Sequence, residues 1–211
     1  TPTTGEKPLT NEEVISGLKE ALTVGAKNSV SLTSAVDGFN GNSLIRIPFP
    51  PKTKKVRTKA LELGLDEQVQ KFELTLNRAA EAASKEAVPI FVDAIKGMSI
   101  GDGFAILRGE DNAATNYLRE KTSAQLMEKF RPVVNNATQQ VELTKYWNPI
   151  ITTYNKIPFV EKQNPDLDAY VTERAMAGLF TMVEKEEKKI RDNPAARVSD
   201  ILKKVFGSLD K

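Results

Sequence analysis

Apolar positions recur every three or four residues along almost the whole chain, the period of a helix buried on one face. Val14, Leu18, Ala21, Leu22, Gly25, Ala26 and Ser29 trace the first such face, and Thr10 with Glu13 forms a capping box in front of it. Residues 37–51 break the period. Pro48, Pro50, Pro51, Gly38 and Gly41 mark this stretch as loop, with Leu44, Ile45, Arg46 and Ile47 extended. A short basic helix is predicted over residues 52–63, stopped by Gly64 at the position just past its end. Asp66 is placed to cap the next helix. Its apolar face runs Val69, Phe72, Leu76, Ala79, Ala83, Ala87, Ile90 and Ala94, with Pro89 able to kink or divide it.

Ser99 with Asp102 is a second capping-box match, opening a short helix that ends near Gly109. Asp111 is placed to cap a long helix through Tyr117, Leu118, Leu126, Phe130, Ala137 and Val141, with Pro132 as a kink point. Asn164-Pro165 and Asn193-Pro194 each put a capping residue before a proline whose missing N–H costs nothing there. Tyr170, Val171, Ala175, Gly178, Leu179, Met182 and Val183 line the penultimate helix. Val198, Ile201, Leu202, Val205 and Phe206 line the last, which Gly207 ends. No segment alternates with the period of a strand, and no internal repeat is visible. The expectation is an all-α fold: a single compact bundle of seven to nine helices over residues 10–207. A flexible arm, 1–9, precedes it and a tail, 208–211, follows.

Composition narrows the chemistry. The 211 residues include no histidine and no cysteine. That excludes imidazole bases, Ser-His-Asp and Cys-His nucleophiles, ordinary zinc and iron–sulfur sites, and disulfides. No cofactor and no metal are expected, and any catalysis would fall to Asp, Glu, Lys, Tyr, Ser or Thr, or to a hard metal bound by oxygens. Thirty basic residues against 28 acidic ones leave +2, too balanced for a dedicated nucleic-acid partner. No apolar run approaches the roughly 20 residues needed to span a bilayer. Residues 1–9 are polar, rich in Thr and Pro, and read as the trimmed start of a mature or truncated protein.

Several clusters are candidate sites. Asn77, Arg78 and Glu81 share a helix, with Asp93 further along. They suit either a polar ligand held between helices or a satisfied network of ion pairs. Arg108, Glu110, Asp111, Thr115, Arg119 and Lys121 crowd a helix junction, where a helix N-terminus can hold an anion. The acidic pair competes for the same positive end. Lys52, Lys54, Lys55, Arg57 and Lys59 include no acidic neighbour and are backed by Val56, Ala60, Leu61 and Leu63. They read either as a membrane-surface handle for anionic lipid or as a solvated face. Gly97, Gly101 and Gly103 lack the flanking strand and lysine of a phosphate loop. Asp166 and Asp168 lack EF-hand spacing and fit a helix's acidic first turn. Gly17, Gly25 and Gly178 inside helices imply close approach by a neighbour or a ligand. Most aromatic residues fall at core spacing. Tyr146 and Trp147, beside Asn148-Pro149, are the expected exposed ones.

Six segments carry a resemblance. They are Leu76-Asn77-Arg78-Ala79-Ala80-Glu81, Pro89-Ile90-Phe91-Val92-Asp93-Ala94-Ile95 and Ala113-Ala114-Thr115-Asn116-Tyr117-Leu118-Arg119, followed by Tyr154-Asn155-Lys156-Ile157-Pro158-Phe159-Val160, Pro165-Asp166-Leu167-Asp168-Ala169-Tyr170-Val171 and Asn193-Pro194-Ala195-Ala196-Arg197. In this order, over residues 9–207, the chain resembles a bacterial domain-of-unknown-function family, number 4197. These are exported, often lipid-anchored, all-helical proteins. The resemblance implies a periplasmic or cell-envelope location and transfers no catalytic or ligand residues. The anchoring cysteine of such lipoproteins has no counterpart here. The expected function is non-enzymatic binding of a lipid-like ligand or of an envelope protein partner. Two alternatives stand beside it. One is a hydrolase of cell-wall glycan using two of Glu81, Asp93, Asp102 and Asp111, which needs carboxylates about 5–9.5 Å apart. The other is a purely structural interaction protein.

Overall fold

The computed structural model describes residues 10–141, 147, 152, 155–159, 161–162 and 166–192. It is all-α: among the described residues there are seven α-helices and no strand. In chain order they are α1 (Asn11–Ser34), α2 (Lys54–Glu62), α3 (Asp66–Ser84), α4 (Ala87–Lys96), α5 (Ile100–Leu107), α6 (Ala113–Thr138) and α7 (Leu167–Asp192). A single 3-10 turn, Pro51–Thr53, leads into α2. No described helix is long and apolar enough to cross a membrane.

Local chemistry sets many of the ends. The Thr10 hydroxyl accepts from the Glu13 N–H at 3.2 Å, and the Glu13 carboxylate accepts from the Thr10 N–H at 3.1 Å, completing the box at α1. Ser99 and Asp102 make the same reciprocal pair at α5. Gly64 takes φ +75°, a conformation that costs glycine little, and ends α2. Its N–H reaches the Leu61 carbonyl at 3.0 Å and the Leu65 N–H reaches the Ala60 carbonyl at 3.0 Å, a Schellman closure.

Some expectations need correction. Residues 52–53 belong to the 3-10 turn, so α2 starts at Lys54. Asp66 is the first residue of α3, and the capping position is held by Leu65 without a side-chain bond. The face traced through Ala94 is divided, but at residues 85–86 rather than at Pro89. Pro89 then lies in the first turn of α4, where an N–H would have no intrahelical partner anyway. Pro132 lies inside α6, as a kink point would; both it and Glu128, whose carbonyl loses a donor, are exposed to water. Val141 lies beyond the helix end at Thr138. Leu44 and Ile45 sit in a turn, with Ile45 and Arg46 N–H groups both reaching the Asn42 carbonyl. Asn164-Pro165, Asn193-Pro194, the predicted last helix, the arm and the tail lie outside the described residues.

The described residues group into two compact units whose divisions fall inside helices. One takes in the described parts of Thr1–Ser29, Val88–Thr122 and Val183–Lys211; the other is Val30–Ala87 with Ser123–Met182. In the first, Leu18, Ala21, Phe91, Ile95 and Leu118 are almost fully buried, and a water-sized space of about 10 Å³ lies among Ala21, Gly25, Leu118 and Ile190. In the second, Phe39, Phe72, Leu76, Phe130 and Leu179 fill the core. Gly178 of α7 is there for space: a Cβ on it would lie 2.5 Å from Phe39 Cε1 and 3.2 Å from Ile45 Cβ. Its neighbour is the loop after α1 rather than another helix.

Candidate functional site

In the second unit, the polar residues of α3 organise the loop between α1 and α2. Asn77 is fully buried. Its amide oxygen accepts from the Ile47 N–H at 2.8 Å, and its amide nitrogen donates to the Ile47 carbonyl at 2.9 Å. It does for Ile47 what a neighbouring strand would do, and Ile45, Ile47 and Phe49 are buried alternately with no sheet present. Glu81, 4 % exposed, accepts from the N–H groups of Phe39 and Asn40, each at 3.2 Å. Arg78 holds the same carboxylate at 2.8 Å and Asp37 at 3.0 Å. Asp37 sits at φ +65°, and the Asn40 amide and then Arg78 hold its carboxyl below the ordinary value. Of the sequence cluster, Arg78 and Glu81 pair with each other; Asn77 and Glu81 bond the backbone of the loop, and Arg78 bonds the carboxylates of Glu81 and Asp37. Asp93 is exposed and belongs to the other unit.

The pinned loop ends in Pro50-Pro51, which form one wall of a cleft of about 460 Å³. The first two turns of α7 supply Leu167, Ala169, Tyr170 and Glu173; Thr53, Trp147, Lys162 and Asp166 complete the lining. The volume lies in the range of small-molecule sites, and the walls are mostly apolar. Trp147, expected to be exposed, is 3 % exposed. It stacks on Phe72 and meets Phe49 edge-on, each with ring centres 5.7 Å apart. Its buried indole N–H has no acceptor among the described residues. The Tyr170 hydroxyl donates to the Pro48 carbonyl at 3.0 Å, tying α7 to the loop, and burial raises its pKa.

Asp166 caps α7 through the Ala169 N–H at 3.0 Å and pairs with Arg131. Burial pushes its carboxyl up, but the Ala169 N–H and Arg131 outweigh that, and the net shift is downward. A carboxyl held low stays ionised near neutral pH and is a poor general acid. Asp168 accepts from the Asn135 amide at 2.5 Å and the Thr138 hydroxyl at 2.7 Å. Asp166 and Asp168 thus serve the start of α7.

The second sequence cluster lies in the other unit. Its helix N-terminus does hold an anion, supplied by the chain. Glu187 of α7 accepts from the Ala114 and Thr115 N–H groups at 2.8 Å and from the Thr115 hydroxyl at 2.7 Å. Arg191 binds Glu187 at 3.1 Å and donates to the Ile106 carbonyl at 2.8 Å. Asp111 is exposed and does not cap α6; it stands 3.7 Å from Lys188. Arg108 stacks over Phe104 with 5.3 Å to the ring centre, and Arg119 donates to Asn116 at 2.7 Å. The four carboxylates named for a hydrolase are placed apart in function: Glu81 and Asp102 bond to the backbone, and Asp93 and Asp111 are exposed.

In the basic helix, Arg57 pairs with Glu73 at 2.7 Å and Lys59 with Glu62 at 3.3 Å, while Lys54 and Lys55 are exposed. Lys52 lies in the 3-10 turn. The cleft itself escaped the sequence reading. Its local signals were the proline run 48–51 and Asp166 just ahead of α7.

Helical periodicity and a polar network bonded to the chain's own loop define an all-α protein. The chain belongs to the DUF4197 family, described as a protein of unknown function, whose model matches residues 8–207. No curated protein and no solved structure matches it.

Proposed function

We propose that this protein binds a lipid-like, single-chain amphiphile in the cleft of its second unit, in the cell envelope, without chemical turnover. The cleft carries the reading: about 460 Å³ with Pro50, Pro51, Trp147, Leu167, Ala169 and Tyr170 among its lining residues. Lys162 lines it too, and exposed Lys54 and Lys55 follow directly on Thr53. An acyl chain suits the walls and an acidic headgroup suits those ammonium groups. The unpaired Trp147 N–H leaves one donor for an oxygen of an otherwise apolar ligand. The exported character of the resembling family supports the location.

Trp147 is the chain's single tryptophan, so its fluorescence reports on the cleft alone. Titration with oleate or lysophosphatidylglycerol below micelle formation should give a saturable change at one ligand per chain. Ala169→Phe, which puts a bulky ring into the cleft, should weaken it strongly. A linear, unsaturable response, or equal binding by Ala169→Phe, would sink the proposal.

A further inference from the structure

Next to this cleft is a feature that ligand binding does not use. Residues 155–159 form a turn ending in Ile157-Pro158-Phe159. Phe159 is 106 % exposed and Ile157 51 %. Among the described residues Phe159 is the only exposed phenylalanine. It also sits at φ +65°, a left-handed conformation that bulky residues rarely adopt and that costs on the order of 1–3 kcal/mol. The chain thus holds a large apolar side chain in water, in a disfavoured conformation. Exposed Lys156 precedes the tip and exposed Lys162 follows it, with Glu161 as the one acidic neighbour in that stretch. Lys162 lines the cleft, and three residues of chain keep Phe159 within about 10 Å of it. Thr53 lines the same cleft and runs straight into Lys54 and Lys55.

We propose that the Ile157-Pro158-Phe159 tip inserts into the headgroup layer of an anionic lipid bilayer and docks the second unit there. A protein partner fits less well. A stable protein interface buries about 800 Å² on each side, far more than a three-residue tip offers. A bilayer accepts single apolar side chains, and anionic lipid attracts the lysines beside them. Docking does not require the cleft to be occupied. If both readings hold, the cleft lies close to the surface that supplies its ligand.

The test uses the full chain and vesicles of equal phosphatidylglycerol and phosphatidylcholine at low salt. Wild type should co-sediment, and Phe159→Ser should lose about tenfold or more in partitioning, from the burial of one Phe side chain. A reporter, Trp147→Phe with Phe159→Trp, should shift its emission to the blue on vesicles and be quenched by brominated acyl chains. No binding by wild type, equal binding by Phe159→Ser, or a reporter that stays in water overturns the proposal. Phe159→Ser should keep the Trp147 response to soluble amphiphile, so failure here is distinguishable from failure of the ligand reading.

Discussion

Glu187 and Asp111 offer a direct contest between two ways of starting α6. Asp111 precedes the helix by two residues, and local reasoning makes it the cap. The fold instead brings in Glu187, 73 residues from Ala114. Replacing Glu187 with Gln keeps the shape and one acceptor oxygen, which can still serve the Thr115 N–H and hydroxyl. The new amide nitrogen then faces the Ala114 N–H, formerly bonded at 2.8 Å, and Arg191, formerly paired at 3.1 Å. Arg191 is only 10 % exposed and loses the charge of Glu187. Breaking one side of a buried pair costs about 3–5 kcal/mol. Asp111 is 72 % exposed with Lys188 3.7 Å away, so Asp111→Ala should stay within about 0.5 kcal/mol. Urea denaturation of wild type and both variants, followed by far-UV circular dichroism, reads the difference in midpoint at constant slope. An effect of Glu187→Gln below about 1 kcal/mol, or a larger effect of Asp111→Ala, would refute the argument.

Asn77→Leu should destabilise by about 2–4 kcal/mol, because the buried Ile47 N–H and carbonyl lose their partners, and should weaken amphiphile binding by loosening the cleft wall. Denaturation and Trp147 titration check both, and an unchanged midpoint would count against the strand-like role of Asn77. Gly178→Ala should cost about 1–3 kcal/mol despite alanine's better helix propensity, since its Cβ meets Phe39 Cε1 at 2.5 Å; a stabilised variant would contradict this. Asp166 has its pKa lowered from 3.8, so its contribution is present above that value and is lost as pH falls through the lower folded value. The stability gap between wild type and Asp166→Asn should therefore close on acidification, and a gap that widens would reverse the sign of the reasoning.

What depends on residues a few positions apart was legible in the chain before folding. The spacing of Leu18, Ala21, Leu22 and Ala26, or of Val69, Phe72, Leu76 and Ala79, sets a buried face because helix geometry repeats every 3.6 residues. The boxes at Thr10 and Ser99 and the stop at Gly64 are equally local, and the absence of histidine and cysteine limits the chemistry before any fold is known. The Asn77, Arg78 and Glu81 cluster was legible as a group on one helix, but not what it would bond. Only the tertiary structure chose Glu187 over Asp111 for α6, paired Asn77 with Ile47 30 residues away, buried Trp147 and assembled the cleft. The reason is that a buried backbone N–H or carbonyl must find some partner, and periodicity records which side of a helix is buried without recording what lies against it.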